Sequence, residues 1–173
     1  YLNIWKHDLA SEVSERVTHY TNANSPEMSR NGDHVAYTDN GFKYVDVTGG
    51  QIISVDTCTY APSSYKWSPT DDLLAYVCYQ NGSSQLFILD IATGTATQPT
   101  SYSGSINSFQ WSAAGNHIVA YGSNGSWQEV LMISPSGEGG EKVIYREEGY
   151  WSGLELSDAG DIFVHAQGQL FSI

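Results

Sequence analysis

"WSPTDDLLAYV" (residues 67–77) sets an aromatic, a serine and a proline beside two aspartates and an apolar run. Alone it reads as a turn leading into a β-strand, because Pro and Asp favour turns and the apolar run with its tyrosine suits a strand. Its weight comes from recurrence. "MSRNGDHVAYT" begins at Met28, "WSAAGNHIVAY" at Trp111 and "LSDAGDIFVHA" at Leu156. Taking the serine as register, Ser29, Ser68, Ser112 and Ser157 are separated by 39, 44 and 45 residues.

The rest of each unit keeps phase with the serine. About eleven residues on come Asn40-Gly41, Asn81-Gly82, Asn124-Gly125 and, more weakly, Gln167-Gly168. Asn-Gly between apolar segments signals a two-residue hairpin, since a type I′ turn needs positive φ at both central residues. An outgoing strand then ends at Asp8, Asp46 or Asp90, with Ser134 in that place in the third unit. A second turn and a last strand follow. The spacing predicts four strands per unit. A falls at 24–28, 63–67, 106–111 and 151–156; B at 34–39, 73–79, 117–122 and 161–166. C falls at 2–7, 42–47, 86–90, 130–134 and 169–173; D at 12–18, 51–57, 95–100 and 141–146. That makes 17 strands and no helix. A repeat of this length with four strands per unit is a propeller blade. The expectation is an all-β chain, a β-propeller or partial propeller of about four blades, with residues 1–173 as one domain or propeller fragment.

Composition agrees. The chain has 173 residues, 40% hydrophobic and only 15% charged, with 17 glycines, which suits short strands joined by tight turns. Its formal net charge of −12 disfavours phosphate backbones and anionic membrane surfaces. No nucleic acid and no membrane contact are therefore expected of this chain, and no cofactor. No apolar run approaches the ~18 residues of a membrane span. The chain begins at Tyr1, so it is expected to be a processed or excised piece of a parent that is itself free to be membrane-anchored.

With these residues in place, the chain resembles the TolB-like β-propellers, a WD-like repeat family. Trp67, Ser68, Pro69, Leu74, Ala75, Tyr76, Leu86, Ile88, Asp90 and Gly94 match its repeat, as do Ser112, Gly115, Ala120 and Tyr121, and Ser29, Gly32, Asp33, Ala36 and Tyr37. The fourth unit is weaker, with Leu156 for Trp and His165 for Tyr. The resemblance covers essentially the whole chain. It implies a non-catalytic scaffold that binds a protein, a peptide or a ligand, in an extracytoplasmic (periplasmic) setting. It also suggests the sensor domain of a CadC-type membrane-anchored winged-helix transcriptional regulator in a bacterium. The competing implication is the propeller that gates a prolyl-oligopeptidase-type serine peptidase. Family propellers usually close with six or more blades, and this chain has about four. It therefore stands as a piece of a longer propeller, a four-bladed ring, or a chain that pairs with a partner, itself included.

Most singled-out residues have a structural reading. Met28, Trp67, Trp111 and Leu156 share one register position, which is expected to be core. Asp33, Asp71 and Asp72 are expected to satisfy turn backbone rather than calcium. His34 and His117 fall at strand starts, and no metal site is expected. No GxSxG elbow occurs, so no catalytic residue is assigned. "NGS" at 81–83 and 124–126 fits a glycosylation sequon, and hairpin chemistry explains both copies. Cys58 and Cys78 are placed on one propeller face in adjacent blades, which permits a disulfide or two separate thiols. The remaining candidate binding residues are Glu147, Glu148, Tyr150 and Trp151, in "YREEGYW". Aromatics beside carboxylates suit a peptide or a cation. The alternatives there are a solvated loop for the glutamates and burial between blades for the aromatics.

Overall fold

The computed structural model of the chain describes residues 1–19, 21–70, 72–166 and 169–172, leaving aside the side chains of Ala166, Gln169 and Phe171. The expected turn at Gln167-Gly168 and the expected role of Asp71 lie outside the described residues. Backbone contacts group the chain into two compact units, Tyr1–Ala61 and Pro62–Ile173.

The first unit holds β1 (Trp5–Asp8) paired with β2 (Val13–Arg16), and a four-stranded antiparallel sheet. That sheet runs β3 (Asn24–Met28), β4 (His34–Thr38), β5 (Phe42–Asp46) and β6 (Ile52–Ser54), in order. Its core joins Ile4 and Val17 to Val35, Tyr37 and Val45. The Ile4 N–H donates to Thr18 Oγ1 at 2.9 Å, and the Ile4 carbonyl accepts the Val17 N–H at 2.9 Å.

The second unit holds three sheets. β7 (Ser64–Trp67), β8 (Leu73–Gln80), β9 (Ser83–Asp90) and β10 (Thr95–Thr97) form the first. β11 (Ser105–Trp111), β12 (Ile118–Asn124), β13 (Trp127–Ile133) and β14 (Glu141–Glu148) form the second. β15 (Trp151–Leu156), β16 (Ile162–Ala166) and β17 (Gln169–Ser172) form the third. Every sheet is an antiparallel meander in chain order, as the repeat predicts, and the described residues contain no helix. Two cores lie between successive sheets. Ala75, Leu86 and Ile88 of the first meet Phe109, Ile118 and Leu131 of the second. Val119, Tyr121 and Val130 of the second meet Trp151, Leu154 and Val164 of the third.

The repeated serine has a direct physical role. Its backbone closes the A–B corner: the N–H groups of Ser29, Ser68, Ser112 and Ser157 donate to the carbonyls of His34, Leu73, His117 and Asp161. The hydroxyls of Ser29, Ser112 and Ser157 accept the returning N–H of His34, His117 and Asp161 at 2.9–3.1 Å. The same hydroxyls donate to Asn31, Asn116 and Asp161. The turn residues thus hold the serine, which holds the corner, and His34 and His117 enter through their backbone.

The hairpins differ from the sequence expectation in two units: Thr38 pairs with Phe42, so Asn40-Gly41 lies in a three-residue connection. Asn81 and Gly82 both have positive φ (52° and 94°), as a type I′ turn requires. In the next unit the cross-strand pair is Asn124 with Trp127, so the central residues are Gly125 and Ser126. Only Gly125 (φ 65°) is left-handed there. That is the Gly-first pattern of a type II′ turn, which needs one positive φ rather than two. The aspartates that end the C strands cap the next turn. Asp46 Oδ1 accepts from the Thr48 N–H, the Thr48 hydroxyl and the Gly49 N–H. The Thr48 hydroxyl, then the Gly49 and Thr48 amides, hold its pKa down at about 2. These bonds favour folding above the ordinary carboxylate pKa near 4, and their contribution fades as pH falls from there through about 2. Thr48→Ala should bring the Asp46 titration, followed by carboxylate NMR, back toward 4; an unmoved titration would contradict this account.

One expectation about the core needs correction. Trp67 is buried, but Met28, at the same register position, is 53% exposed. Strand β3 is exposed at four of its five residues, so nothing within the first unit covers that face. Tyr37 is fully buried, yet its hydroxyl has no hydrogen-bond partner among the described residues. Burial, then the charge of Asp39, pushes its pKa up to about 12. A buried hydroxyl without a partner costs ~1–3 kcal/mol. Tyr37→Phe is therefore expected to stabilise the chain by about 1 kcal/mol in urea unfolding. It should also remove the stability loss that sets in as pH rises from about 10 through 12.

Candidate functional site

The units differ most at one end of the sheet β11–β14. Strands β13 and β14 pair from Trp127–Glu148 through Glu129–Arg146 to Ile133–Glu141, with an irregularity between Val130 and Leu131. Successive side chains on a strand take opposite faces. One face therefore carries Trp127, Glu129, Arg146 and Glu148, and it is the face whose Leu131 and Ile133 enter the core shared with the sheet β7–β10.

Glu129 is the unusual residue of this face, a carboxylate only 4% exposed. The Tyr102 hydroxyl donates to its Oε2 at 2.8 Å, and Arg146 Nε stands 3.6 Å from its Oε1. Tyr102 lies in the connection between β10 and β11. Gln85 Nε2 fixes that connection by donating to the carbonyls of Tyr102 and Gly104 at 3.1 and 3.0 Å. The Thr100 hydroxyl donates to Gln85 Oε1 at 3.3 Å. The Tyr102 ring fits because Gly104 and Gly122 have no side chains: a Cβ at Gly122 would lie 2.7 Å from the ring. Burial, then the hydrogen bond to Glu129, pushes the Tyr102 phenol well above its ordinary pKa. Above this network the Arg146 guanidinium lies 4.3 Å from the centre of the half-exposed Trp127 ring. A desolvated carboxylate thus holds an arginine, and the arginine holds an indole at the surface.

The opposite face is aromatic. Tyr145 stacks on Trp151 with centroids 5.8 Å apart, and the Tyr145 hydroxyl donates to Glu147 Oε2 at 3.0 Å. That hydrogen bond, ahead of burial, raises the Tyr145 pKa. Tyr150, in the link to β15, is 75% exposed.

The four sequence candidates are therefore separated. Trp151 is buried at 3% exposure and packs with Val119, Val130 and Leu154, so it is a core residue rather than a contact surface. Glu147 and Glu148 lie in β14 rather than in a loop, and strand alternation sends them to opposite faces. Tyr150 and the two glutamates remain exposed. The sequence reading passed over Trp127, Arg146, Glu129 and Tyr102. One signal was available: in "WQEVLMI" the glutamate stands in phase with Leu131 and Ile133, where a carboxylate is out of place unless partnered.

Ser152 Oγ lies 2.7 Å from His165 Nδ1, and the same pairing occurs between Ser14 and His7 at 2.9 Å. Both are cross-strand contacts on exposed surface, which ordinary pairing across strands explains. Neither cysteine is free: Cys58 and Cys78 are both disulfide-bonded.

No family model matches the sequence, and no curated protein does. Solved structures do. TolB from Acinetobacter baumannii is similar at a TM-score of 0.62 and 16% identity, over 96% of this chain and 46% of that one. The putative TolB from Agrobacterium tumefaciens gives 0.70 and 19%, over 95% and 62%. The fold is that of a TolB-like β-propeller. At such identities the likeness establishes the fold alone. Dipeptidyl peptidase 4 from Porphyromonas gingivalis is similar too, with a TM-score of 0.74 and 13% identity over 94% of this chain and 32% of that one. The chain spans about half the length of the two TolB structures, so this TolB-like chain has the extent of a partial propeller.

Proposed function

We propose that this chain is a non-catalytic scaffold that binds a protein or peptide, and that the rim formed by Trp127, Arg146, Glu148 and Tyr150 is its contact surface. The observation that carries the reading is the Glu129–Arg146–Trp127 stack. It sets an arginine and a tryptophan, the side chains most often decisive in protein interfaces, against each other at the surface. Exposed Tyr150 and the carboxylate of Glu148 favour a partner segment with basic and apolar side chains. The disulfide-bonded cysteines support an extracytoplasmic, oxidising location. In this reading the chain is the sensor domain of a bacterial membrane-anchored transcriptional regulator.

Peptide selection on the chain should return basic, aromatic-containing sequences. Tyr150→Ala and Arg146→Ala should each weaken them by roughly 10- to 30-fold, the size of an interface hot spot. Glu12→Gln, in the first unit, should leave binding unchanged. Selected peptides unaffected by both rim variants would overturn the assignment.

The likeness to dipeptidyl peptidase 4 supports a second reading, the gating propeller of a serine peptidase. The parent chain separates the two. An upstream winged helix and one membrane span support the sensor; a downstream α/β-hydrolase domain supports the peptidase.

A further inference from the structure

The opposite end of the same two sheets holds a cleft of about 650 Å³, within the size range of small-molecule sites. It opens between β9–β10 and the turns of the neighbouring sheet. The pairing of Thr95 with Asp90 and of Thr97 with Ile88 puts both threonines on the face that carries Asp90 and Ile88. Across from them stand Asn116, Ser134 and Ser136.

The walls are tied on the outer side. The Ser101 N–H donates to Glu141 Oε2 at 2.9 Å, bridging the two sheets. A Cβ on Gly137 would stand 3.7 Å from Pro99 Cα, so the turn after Ser134 lies directly against the segment after β10. Inward, Ile88 and Leu73 join the core shared by the sheets. A cleft braced at both margins does not need to be ordered by its ligand.

Its chemistry is selective. The lining is hydroxyls, one amide and one carboxylate over an apolar floor that includes Leu73, Ile88 and Pro135, and it includes no Lys, Arg or His. An anionic ligand would face Asp90 with no countercharge. The carboxylate itself departs from the repeat. Among the described residues Asp46 accepts three hydrogen bonds from its turn and Asp8 two from backbone amides, whereas Asp90 accepts one, from the Thr93 N–H at 3.0 Å. The second oxygen of Asp90 is thus not committed to the turn. Asn116 Oδ1 takes the Ser112 hydroxyl, which leaves the amide NH₂ to donate elsewhere. A carboxylate that accepts hydroxyl pairs, an amide that donates, flanking threonine hydroxyls and an apolar floor match a compact molecule with polar edges and a C–H face.

We infer that this cleft is a binding site for a small neutral polyhydroxylated ligand, of monosaccharide to disaccharide size, separate from the peptide-binding rim. The test is an amide NMR titration of the intact, oxidised chain with maltose and methyl β-glucopyranoside as probes. Glucuronate and ethanolamine serve as charged comparisons. Saturable shifts are expected at the amides of Thr95, Thr97 and Ser136, with the Tyr150 amide unmoved. Asp90→Asn, which keeps the acceptor for the Thr93 amide, should weaken binding about tenfold, as should Thr97→Val. Folding of both variants is read from the same spectra. The inference fails if neither sugar moves these amides up to roughly 50 mM, beyond the ~1 mM range where weak sites saturate. It fails equally if glucuronate or ethanolamine binds as well as the sugars, or if both variants bind like the parent. Loss of peptide binding at the rim would leave these readouts unaffected.

Discussion

Alanine at position 104 is expected to lower stability by about 3 kcal/mol, a drop of roughly 6–12 °C in the melting temperature for a chain of this size. A Cβ there would overlap the carbonyl oxygen of Ser123 and stand 2.8 Å from Tyr102 Cε1. The first obstacle is backbone in a paired strand, which has little room to yield; the second is a ring already wedged between sheets. Position 122 faces the same ring, with the Ser105 carbonyl 2.7 Å from its Cβ position, so Gly122→Ala is expected to follow the same direction. The comparison that isolates the mechanism is Gly125→Ala. Gly125 has a positive φ of 65° and open space around it, so its replacement carries backbone strain alone, about 1 kcal/mol. Equal costs at 104 and 125, measured by urea or thermal unfolding, would show that the niche around Tyr102 is not the cause.

Tyr102→Phe is the second large effect, a loss of about 2 kcal/mol. The ring stays, but the buried Glu129 carboxylate loses the 2.8 Å donor that holds it, and Arg146, half exposed and 3.6 Å away, does not replace that bond. Glu129→Leu alone is also expected to destabilise, because it strands the Tyr102 hydroxyl. The double variant Tyr102→Phe/Glu129→Leu should recover to within about 1 kcal/mol of the parent, since a buried polar pair exchanged for apolar groups of similar shape is close to neutral. A double-mutant cycle reads this coupling directly, and additive losses would refute the pairing. The double variant should still lose peptide affinity at the rim, because Arg146 no longer has a carboxylate to fix it over Trp127. Stability and binding would then separate in a single protein.

The repeat and its corners were legible because their causes are local. Ser112 bonds to His117 and Asn116, Asp46 to Thr48 and Gly49, and Asn81-Gly82 supplies its own positive φ. Every partner lies within five residues, so the sequence window contains the whole interaction. Strand order followed, since antiparallel meanders joined by short turns leave few alternatives. The candidate stretch "YREEGYW" was less legible. It contains a strand end, and whether β14 stops at Arg146 or runs on to Glu148 decides whether the two glutamates share a loop or part across a sheet. That outcome depends on Gln128 and Trp127, the partners of Glu147 and Glu148 on β13, about twenty residues away.

The sequence by itself determined the blade: its period, its serine-clamped corner, its aspartate-capped turn and the all-β class. Tertiary structure alone decided what distinguishes one blade from another. Tyr102 meets Glu129 across 27 residues and the Ser101 amide meets Glu141 across 40. Trp151 is buried by residues on β12, β13 and β16. Thr95 and Thr97 face Asn116 and Ser134 only because two sheets stack. The physical reason is range. Hydrogen bonds that close a turn act on neighbours in the chain, while burial, charge pairing and cleft shape act on neighbours in space, which only the stacking of blades supplies.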